Sequence, residues 1–327
     1  MSDTHRFACR ICSYQGESKK YTAREMMYGL RHEFLYYECG NCGCLQINEI
    51  PEDMSAYYPR DYYSFEKYDG KKFRGLNGKL KRLIYTNMIF GNPLVKYLMG
   101  FLTNQRDYEA FNELRITRNS RILDVGCGNG QSFLYPLAEI GFVNLLGCDP
   151  FLSNTISYRN GLTIQNTDIY SVSEKWDMIT YHHSFEHISD PIENLAKVSE
   201  LLNENGVCLV RIPTASSYAW KHYRTNWAQL DAPRHFFLHT KKSMQLIAEN
   251  VEMELYKVVY DSTHFQFSGS EKYVNDTPLS SPRQKGLQHF LKRKMNKLSY
   301  SRRAKKLNKQ QLGDQAGFYF RKKPNFN

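Results

Sequence analysis

The stretch Ile122-Leu123-Asp124-Val125-Gly126-Cys127-Gly128-Asn129-Gly130 constrains this chain more than any other, because it joins a buried-strand ending to three glycines at alternate positions. Ile122 to Val125 is short and apolar, and Gln131 to Ile140 can follow as a helix ended by Gly141. Glycines at such a turn let the backbone approach a ligand closely, with the free N–H groups of the helix start facing it. The expectation is a cofactor cradle at the end of a strand.

Strand and helix patterns alternate from there. Strands are expected over Arg121 to Val125, Asn144 to Cys148, Thr163 to Gln165, Asp177 to Tyr181 and Val207 to Ile212, which implies a parallel sheet covered on both faces. Asp149 ends the second strand, where a carboxylate can accept hydrogen bonds from both hydroxyls of a ribose, and Asp168 follows the third, where it can meet an adenine amino group. Position 131 is Gln where a dinucleotide fingerprint has Gly or Ala, which disfavours nicotinamide. Pro136 falls inside the expected first helix and should kink it or delay its start.

Cys9-Arg10-Ile11-Cys12 and Cys39-Gly40-Asn41-Cys42 are two C-x2-C knuckles. Each lets two thiolates converge on one tetrahedral ion, so Cys9, Cys12, Cys39 and Cys42 predict a zinc ribbon over residues 1–50, in a structural role because four cysteines leave zinc no open position. Cys44 is expected to be buried rather than ligating, and His32 to lie on the surface. Residues 51–109 read as a linker, with Tyr57, Tyr58, Tyr62 and Tyr63 around Pro59, followed by helices. The tyrosines either pack the ribbon onto the next domain or line a substrate entrance, Tyr63 being the candidate contact.

The net charge of +11 is concentrated late: from Arg283 to Lys323 there are fourteen Lys and Arg against Asp314 alone. Within that stretch, residues 281–310 read as an insertion whose Leu287, Phe290, Leu291, Met295 and Leu298 share one helical face beneath basic residues. It is either a membrane-surface helix, a helix docked on the domain with a solvated basic back, or a binder of phosphate-rich substrate. No apolar run is long enough to span a bilayer and the N-terminus is polar, so a cytoplasmic location is expected.

In order and spacing, Asp124-Val-Gly-Cys-Gly-Asn-Gly130, Asp149-Pro150, Asp168, Trp176-Asp177-Met178-Ile179 and Phe185-Glu186-His187-Ile188-Ser189-Asp190-Pro191 resemble the class I S-adenosylmethionine-dependent methyltransferases. The resemblance implies a Rossmann-like, seven-stranded α/β sheet over residues 110–327, with a sixth strand at Glu254 to Tyr260 and an antiparallel last strand at Gly317 to Phe320. It also implies cofactor contacts from Asp124, Gly126, Cys127, Gly128 and Gly130 to the amino-acid end, Asp149 and Pro150 to the ribose, Asp168 and Ile169 to the adenine, and His183 near the methionine moiety. Glu186 and His187 are either catalytic or shape the loop after the fourth strand.

The acceptor segment 213–240 carries Trp220, His222, Tyr223, Arg224 and Trp227, read as pocket lining, with His222 and Trp227 as substrate contacts. Together with the ribbon, the run from Trp227 through Pro233-Arg234-His235 to Thr240 resembles bacterial methyltransferases of sugar and surface-polysaccharide pathways. Relatives that methylate nucleotide-linked deoxysugars at carbon carry a Tyr-Asp-Glu-His run; here Ala232-Pro233-Arg234-His235 keeps only the histidine, which favours O-methylation over C-methylation. His235 is expected to be the general base, with positioning of the acceptor or a structural hydrogen bond as alternatives. Arg234 fits a phosphate or carboxylate on the substrate, or equally a surface ion pair. An RNA acceptor is disfavoured because the basic residues lie outside the ribbon, and a non-catalytic scaffold is disfavoured by the nearly complete glycine and acidic set.

Overall fold

In the computed structural model, the described residues are 7–58, 67–92, 95, 111, 116–282 and 285–323. Tyr63 and most of the helical stretch expected beyond Phe90 lie outside them. The chain runs β1 (Ser18–Arg24), β2 (Glu33–Cys39), β3 (Leu45–Ile47), α1 (Gly75–Phe90), β4 (Ile122–Val125), α2 (Leu134–Glu139), β5 (Leu145–Cys148), β6 (Ile156–Ser157), β7 (Thr163–Gln165), β8 (Trp176–His182) and α3 (Pro191–Leu201). There follow β9 (Leu202–Pro213), α4 (Tyr218–Tyr223), β10 (Phe237–Leu238), α5 (Lys241–Asn250), β11 (Met253–Tyr260), α6 (Phe265–Ser268), α7 (Ser270–Val274), α8 (Leu287–Lys309) and β12 (Gln315–Lys322). It divides into two compact units, Met1–Pro59 with His183–Ala196 and Val210–Asn327, and Arg60–His182 with Lys197–Leu209. The ribbon therefore shares a unit with the segment 213–240.

The second unit holds the sheet order β9-β8-β4-β5-β7-β6. β4 lies between parallel neighbours, with Asp124 beside Gly147 of β5 and Thr180 of β8. Ile122 and Leu123 are fully buried, as a strand covered on both faces demands. The first helix, α2, begins only at Leu134, three residues later than the hydrophobic pattern predicts, and Pro136 sits in its first turn, where a missing N–H costs nothing.

In the first unit β11, β12 and the end of β9 are neighbours, and β11 pairs antiparallel with β12. The seven expected strands are thus all present, and β6 adds a two-residue antiparallel edge on β7. This is the expected Rossmann-like α/β architecture, with a mixed sheet. The same unit contains a second sheet, β1-β2-β3-β10, in which Phe237 and Leu238 of the acceptor segment pair with Gln46 and Leu45 of the ribbon. Tyr36 and Leu45 of the ribbon share a core with Trp220, Tyr223, Trp227 and Leu238. A fifty-residue ribbon has too little apolar material to cover its own sheet, and the aromatic segment supplies it. This corrects the reading of that segment as pocket lining: Trp227 is completely buried and donates its indole N–H to Asp314 Oδ2 at 3.0 Å, so it cannot touch a substrate. His222 is exposed and stacks on Tyr218, with ring centroids 5.1 Å apart.

α8 docks by its second half. Ala304 and Leu307 are buried, Tyr300 packs on Phe267, and the Asn308 side chain exchanges hydrogen bonds of 3.0 and 3.1 Å with the Ser262 backbone. The expected apolar face does not dock: Leu287 and Met295 are about three-quarters exposed, and Phe290, Leu291 and Leu298 about half. No helix among the described residues is long and apolar enough to cross a membrane.

Candidate active site

At the end of β4 the chain turns through Gly126, Gly128 and Gly130, with φ values of 66°, 55° and 68°. These are left-handed conformations that a side chain penalises, which explains the alternate glycines. A Cβ on Gly130 would also come within 2.8 Å of Ile164 Cδ1. Two buried carboxylates flank the turn. Asp124 accepts a hydrogen bond from Thr180 Oγ1 at 2.8 Å; Asp149 accepts from the Gly128 N–H at 2.8 Å and from the Phe151 N–H at 2.9 Å. Asp149 thus holds the turn in shape while remaining a carboxylate at a strand end. Asp168 is exposed and caps the short turn Ile169–Ser171 by accepting from the Tyr170 and Ser171 N–H groups, and Ile169 behind it is buried. Cys127 and Cys148 have their thiols pushed up by burial, so neither is a thiolate nucleophile. The glycine cradle and its buried acids suit a nucleoside-bearing cofactor with a cationic amino-acid end.

β8 ends at His182, and the chain passes directly into the other unit at His183, itself left-handed at φ 56°. His183 donates its backbone N–H to Arg211 O at 3.0 Å. Three residues on, Glu186 is completely buried, and neither of its carboxylate oxygens has a hydrogen-bond partner among the described residues. Its nearest polar neighbours are imidazoles: His183 Nδ1 lies 3.5 Å and His235 Nε2 3.8 Å from Oε1. Burial works to raise the Glu186 carboxyl, but the His183 ring beside it, and the His187, His235 and His183 imidazoles when they are protonated, hold it down at about 2.

His187 and His235 face one another, with ring centroids 4.9 Å apart. The Nδ1 of His187 lies 2.7 Å from Arg234 O and that of His235 lies 2.8 Å from Gln229 O. A carbonyl can only accept, so in both rings Nδ1 carries a proton. Burial, reinforced by the His187 imidazole, lowers His235 to about 4 and keeps it neutral near pH 7. Tyr58 OH stands 3.3 Å from His187 Nδ1, and Tyr36 OH donates to the His235 carbonyl at 2.9 Å.

Arg234 is not an open anion receptor or a surface pair, which corrects both sequence readings. It is 1% exposed. Its guanidinium binds Asp231 through Nε at 2.9 Å and through Nη2, Glu25 through Nη2 at 3.1 Å, and Tyr57 O through Nη1 at 3.2 Å. Two carboxylates satisfy one buried cation, and its directional donors hold the loop carrying His235 against the ribbon. Sequence reasoning missed Glu25 because it lies 209 residues from its partner and nothing local marks it; Asp231, three residues before Arg234, was within reach as a local ion pair. Glu25 also accepts the N–H groups of Tyr28, Gly29 and Leu30, closing the loop between β1 and β2.

In the ribbon, Cys9, Cys12, Cys39 and Cys42 are free thiols whose sulfurs all lie within 4.8 Å of one another, with the Cys9–Cys42 and Cys12–Cys39 pairs at 3.6 Å. A tetrahedral zinc with bonds of about 2.3 Å separates its sulfurs by about 3.8 Å, so the four thiols fit that ion. Gln46 Nε2 donates to Cys9 Sγ at 2.8 Å, and the Cys42 thiol hydrogen bond holds Cys9 below its ordinary range. Cys44 stands apart, buried beside His239 with its Sγ 3.8 Å from Nδ1, and His32 is exposed and paired with Tyr57 OH.

A family model described as a methyltransferase domain matches residues 102–258. Over these residues the chain is similar to a methyltransferase domain, and its sheet has the order such a domain needs. Among curated proteins, the ubiquinone biosynthesis O-methyltransferase of Azorhizobium caulinodans is 30% identical over 110 residues, 30% of this chain and 42% of that one. The enzyme of the same name from Cereibacter sphaeroides is 30% identical over 126 residues, 35% of this chain and 50% of that one. The chain spans about half the length, or less, of these relatives. Among solved structures, the O-methyltransferase of a Brevibacillus brevis polyketide synthase, in complex with S-adenosyl-L-homocysteine, is 16% identical with a TM-score of 0.40, covering 80% of this chain and 83% of that one. A Thermotoga maritima S-adenosylmethionine-dependent methyltransferase is 17% identical with a TM-score of 0.40, covering 74% of this chain and all of that one. Within the matched residues the glycine turn and Asp149 lie wholly within one unit, and the Glu186–His187 pair directly follows β8.

Proposed function

We propose that the chain is an S-adenosylmethionine-dependent O-methyltransferase whose acceptor is a hydroxyl of a sugar, free or carried on a nucleotide or lipid. The observation that carries it is the convergence of His187 and His235, each with one ring nitrogen within 4.8 Å of the buried Glu186 carboxylate, in a chain whose β4 turn is suited to hold a donor. When bound, S-adenosylmethionine supplies a methyl group on a sulfonium, which an alcohol attacks only as its proton leaves. Nε2 of His235 takes that proton, its lone pair directed by the Nδ1 hydrogen bond to Gln229, and Glu186 stabilises the imidazolium as the O–C bond forms and the S–C bond breaks. Asp124, Gly126, Cys127, Gly128 and Gly130 hold the amino-acid end of the donor, Asp149 and Pro150 the ribose, Asp168 and Ile169 the adenine, with His183 near the methionine moiety. The relatives' name, O-methyltransferase, supports oxygen as the acceptor atom, and it gives a second candidate acceptor, a quinone-precursor phenol. The sugar rests on the resemblance of the ribbon and the Pro233-Arg234-His235 run. Zinc in the Cys9, Cys12, Cys39 and Cys42 cluster is structural in this reading.

Incubation of the full chain with labelled S-adenosylmethionine and either a nucleotide-linked sugar or a catechol distinguishes the two acceptors. His235→Ala is expected to lower turnover on the accepted one by about 100-fold or more with donor affinity unchanged, since general-base catalysis contributes about 100- to 10,000-fold. Unchanged turnover would remove His235 from the role.

α8 extends the reading to a peripheral contact with an anionic membrane. Between Leu287 and Lys309 it has no acidic residue, and its first half exposes Leu287, Phe290, Leu291, Met295 and Leu298 among lysines and arginines. Co-sedimentation with phosphatidylserine vesicles is expected to fall steeply with salt and to vanish in a Phe290→Ser, Leu291→Ser variant; equal binding to neutral vesicles would count against it.

A further inference from the structure

We propose that His187, His235 and Glu186 form a divalent transition-metal site, separate from the four-cysteine cluster and with open coordination positions. One ligand atom from each residue falls within 4.8 Å of the other two, and the chemistry of the three is right for such an ion: two imidazole nitrogens and one carboxylate. Three further observations point the same way. Glu186 is completely buried and both its oxygens lack a hydrogen-bond partner among the described residues, a costly state for an ionised group unless a cation lies between it and its neighbours. Both imidazoles donate Nδ1–H to backbone carbonyls, at 2.7 Å for His187 and 2.8 Å for His235, which is how protein scaffolds aim Nε2 at a metal. Finally, the carbonyl holding His187 belongs to Arg234, whose guanidinium is fastened by Asp231, Glu25 and Tyr57, so the supporting shell is rigid.

Arg234 cannot be the cation that Glu186 lacks, because its own partners are Asp231 and Glu25. His183 Nδ1 at 3.5 Å and His235 Nε2 at 3.8 Å are too far from Oε1 for strong hydrogen bonds, whereas a tetrahedral ion with bonds of about 2.1 Å separates its ligand atoms by about 3.4 Å, close to the 3.8 Å between His235 and Glu186. Three protein ligands leave one position open on a tetrahedral ion and three on an octahedral one, the arrangement of a Lewis-acid site rather than a structural one.

The inference rests on the proposed acceptor site and refines it. With the ion bound, Nε2 of His235 is a ligand; the acceptor hydroxyl oxygen coordinates the ion, its O–H proton passes to solvent water, and the O–C bond forms as the S–C bond breaks. The ion lowers the pKa of the coordinated hydroxyl, which replaces proton transfer to His235.

Metal analysis of the purified full chain, with Co²⁺ titration as a probe, tests it. Wild type is expected to hold about two equivalents per chain, one giving thiolate-to-cobalt charge transfer and one showing only weak visible bands. Glu186→Gln and the half-buried His187→Ala are each expected to lose the second equivalent and keep the first, with thermal midpoints recorded to show that they fold. Equal cobalt content in wild type and both variants would overturn the metal site. Mild chelation that strips the second equivalent should then abolish methyl transfer, restored by Co²⁺ or Zn²⁺. Full turnover of the stripped enzyme would overturn the metal's role and leave His235 as the base, whereas metal binding without transfer to any hydroxyl would instead strike the methyltransferase reading.

Discussion

Replacing Cys39 with serine is expected to unfold the ribbon-bearing unit. Structural zinc contributes about 10–16 kcal/mol to the folding of small modules, as much as the whole stability of an ordinary domain. Cys39 ends β2, and the knuckle it shares with Cys42 is tied to the start of α5, where Thr240 Oγ1 donates to Cys42 O at 2.6 Å and Lys242 Nζ reaches Asn41 O at 2.8 Å. The damage should therefore reach β10, which pairs with β3, and the His235 loop, whose carbonyl is held by Tyr36. Circular dichroism melts and limited proteolysis should show a transition lowered by tens of degrees and new cleavage between residues 213 and 240. A melt within a few degrees of wild type would show that the four thiols carry no structural metal.

Asp149→Ala is expected to weaken S-adenosylmethionine binding by about 100-fold or more. The carboxylate accepts the Gly128 and Phe151 N–H groups. Hydrogen bonds to a charged group contribute about 1.5–3 kcal/mol each, and those to a ribose would be lost with the turn's support. Because β4 and β5 stay paired through Ile122 to Val125, the fold should survive and the loss should appear as affinity. Isothermal titration calorimetry decides it, and an unchanged dissociation constant would sink the donor site as drawn. Asp149→Asn should fall between the two, since the amide retains one acceptor and loses the charge.

These two sites differ in how much of them the chain shows before it folds. The glycine turn is written locally: left-handed φ at 126, 128 and 130 requires glycine, and β-strand and turn are contiguous. The four cysteines are legible for the same reason, since each knuckle needs only two residues between its thiols. The strand order followed from alternation and the short connections. Pro136 announced the delayed helix, because a proline's missing N–H acts on its own turn.

What the chain did not disclose is where its aromatic and charged residues spend themselves. Trp220 and Trp227 read as pocket lining because their stretch has neither a helical nor a strand period; their role as a ribbon's core depends on a partner surface 170 or more residues earlier. Arg234 read as an anion binder or a surface ion pair, yet buried Glu25 and Asp231 consume its donors. The apolar stripe of α8 was open to docking, to a membrane surface or to a phosphate-rich substrate, and the docking contacts come from Tyr300, Ala304 and Leu307 instead. Sequence by itself determined the elements and sites whose constraints act within a few residues: the donor turn, the cysteine knuckles and the order of strands. Tertiary structure alone decided that the segment 213–240 completes the ribbon, and that Glu186, His187 and His235 each bring one ligand atom within 4.8 Å of the other two. Such convergence depends on burial and on hydrogen bonds between distant residues, which no local pattern encodes.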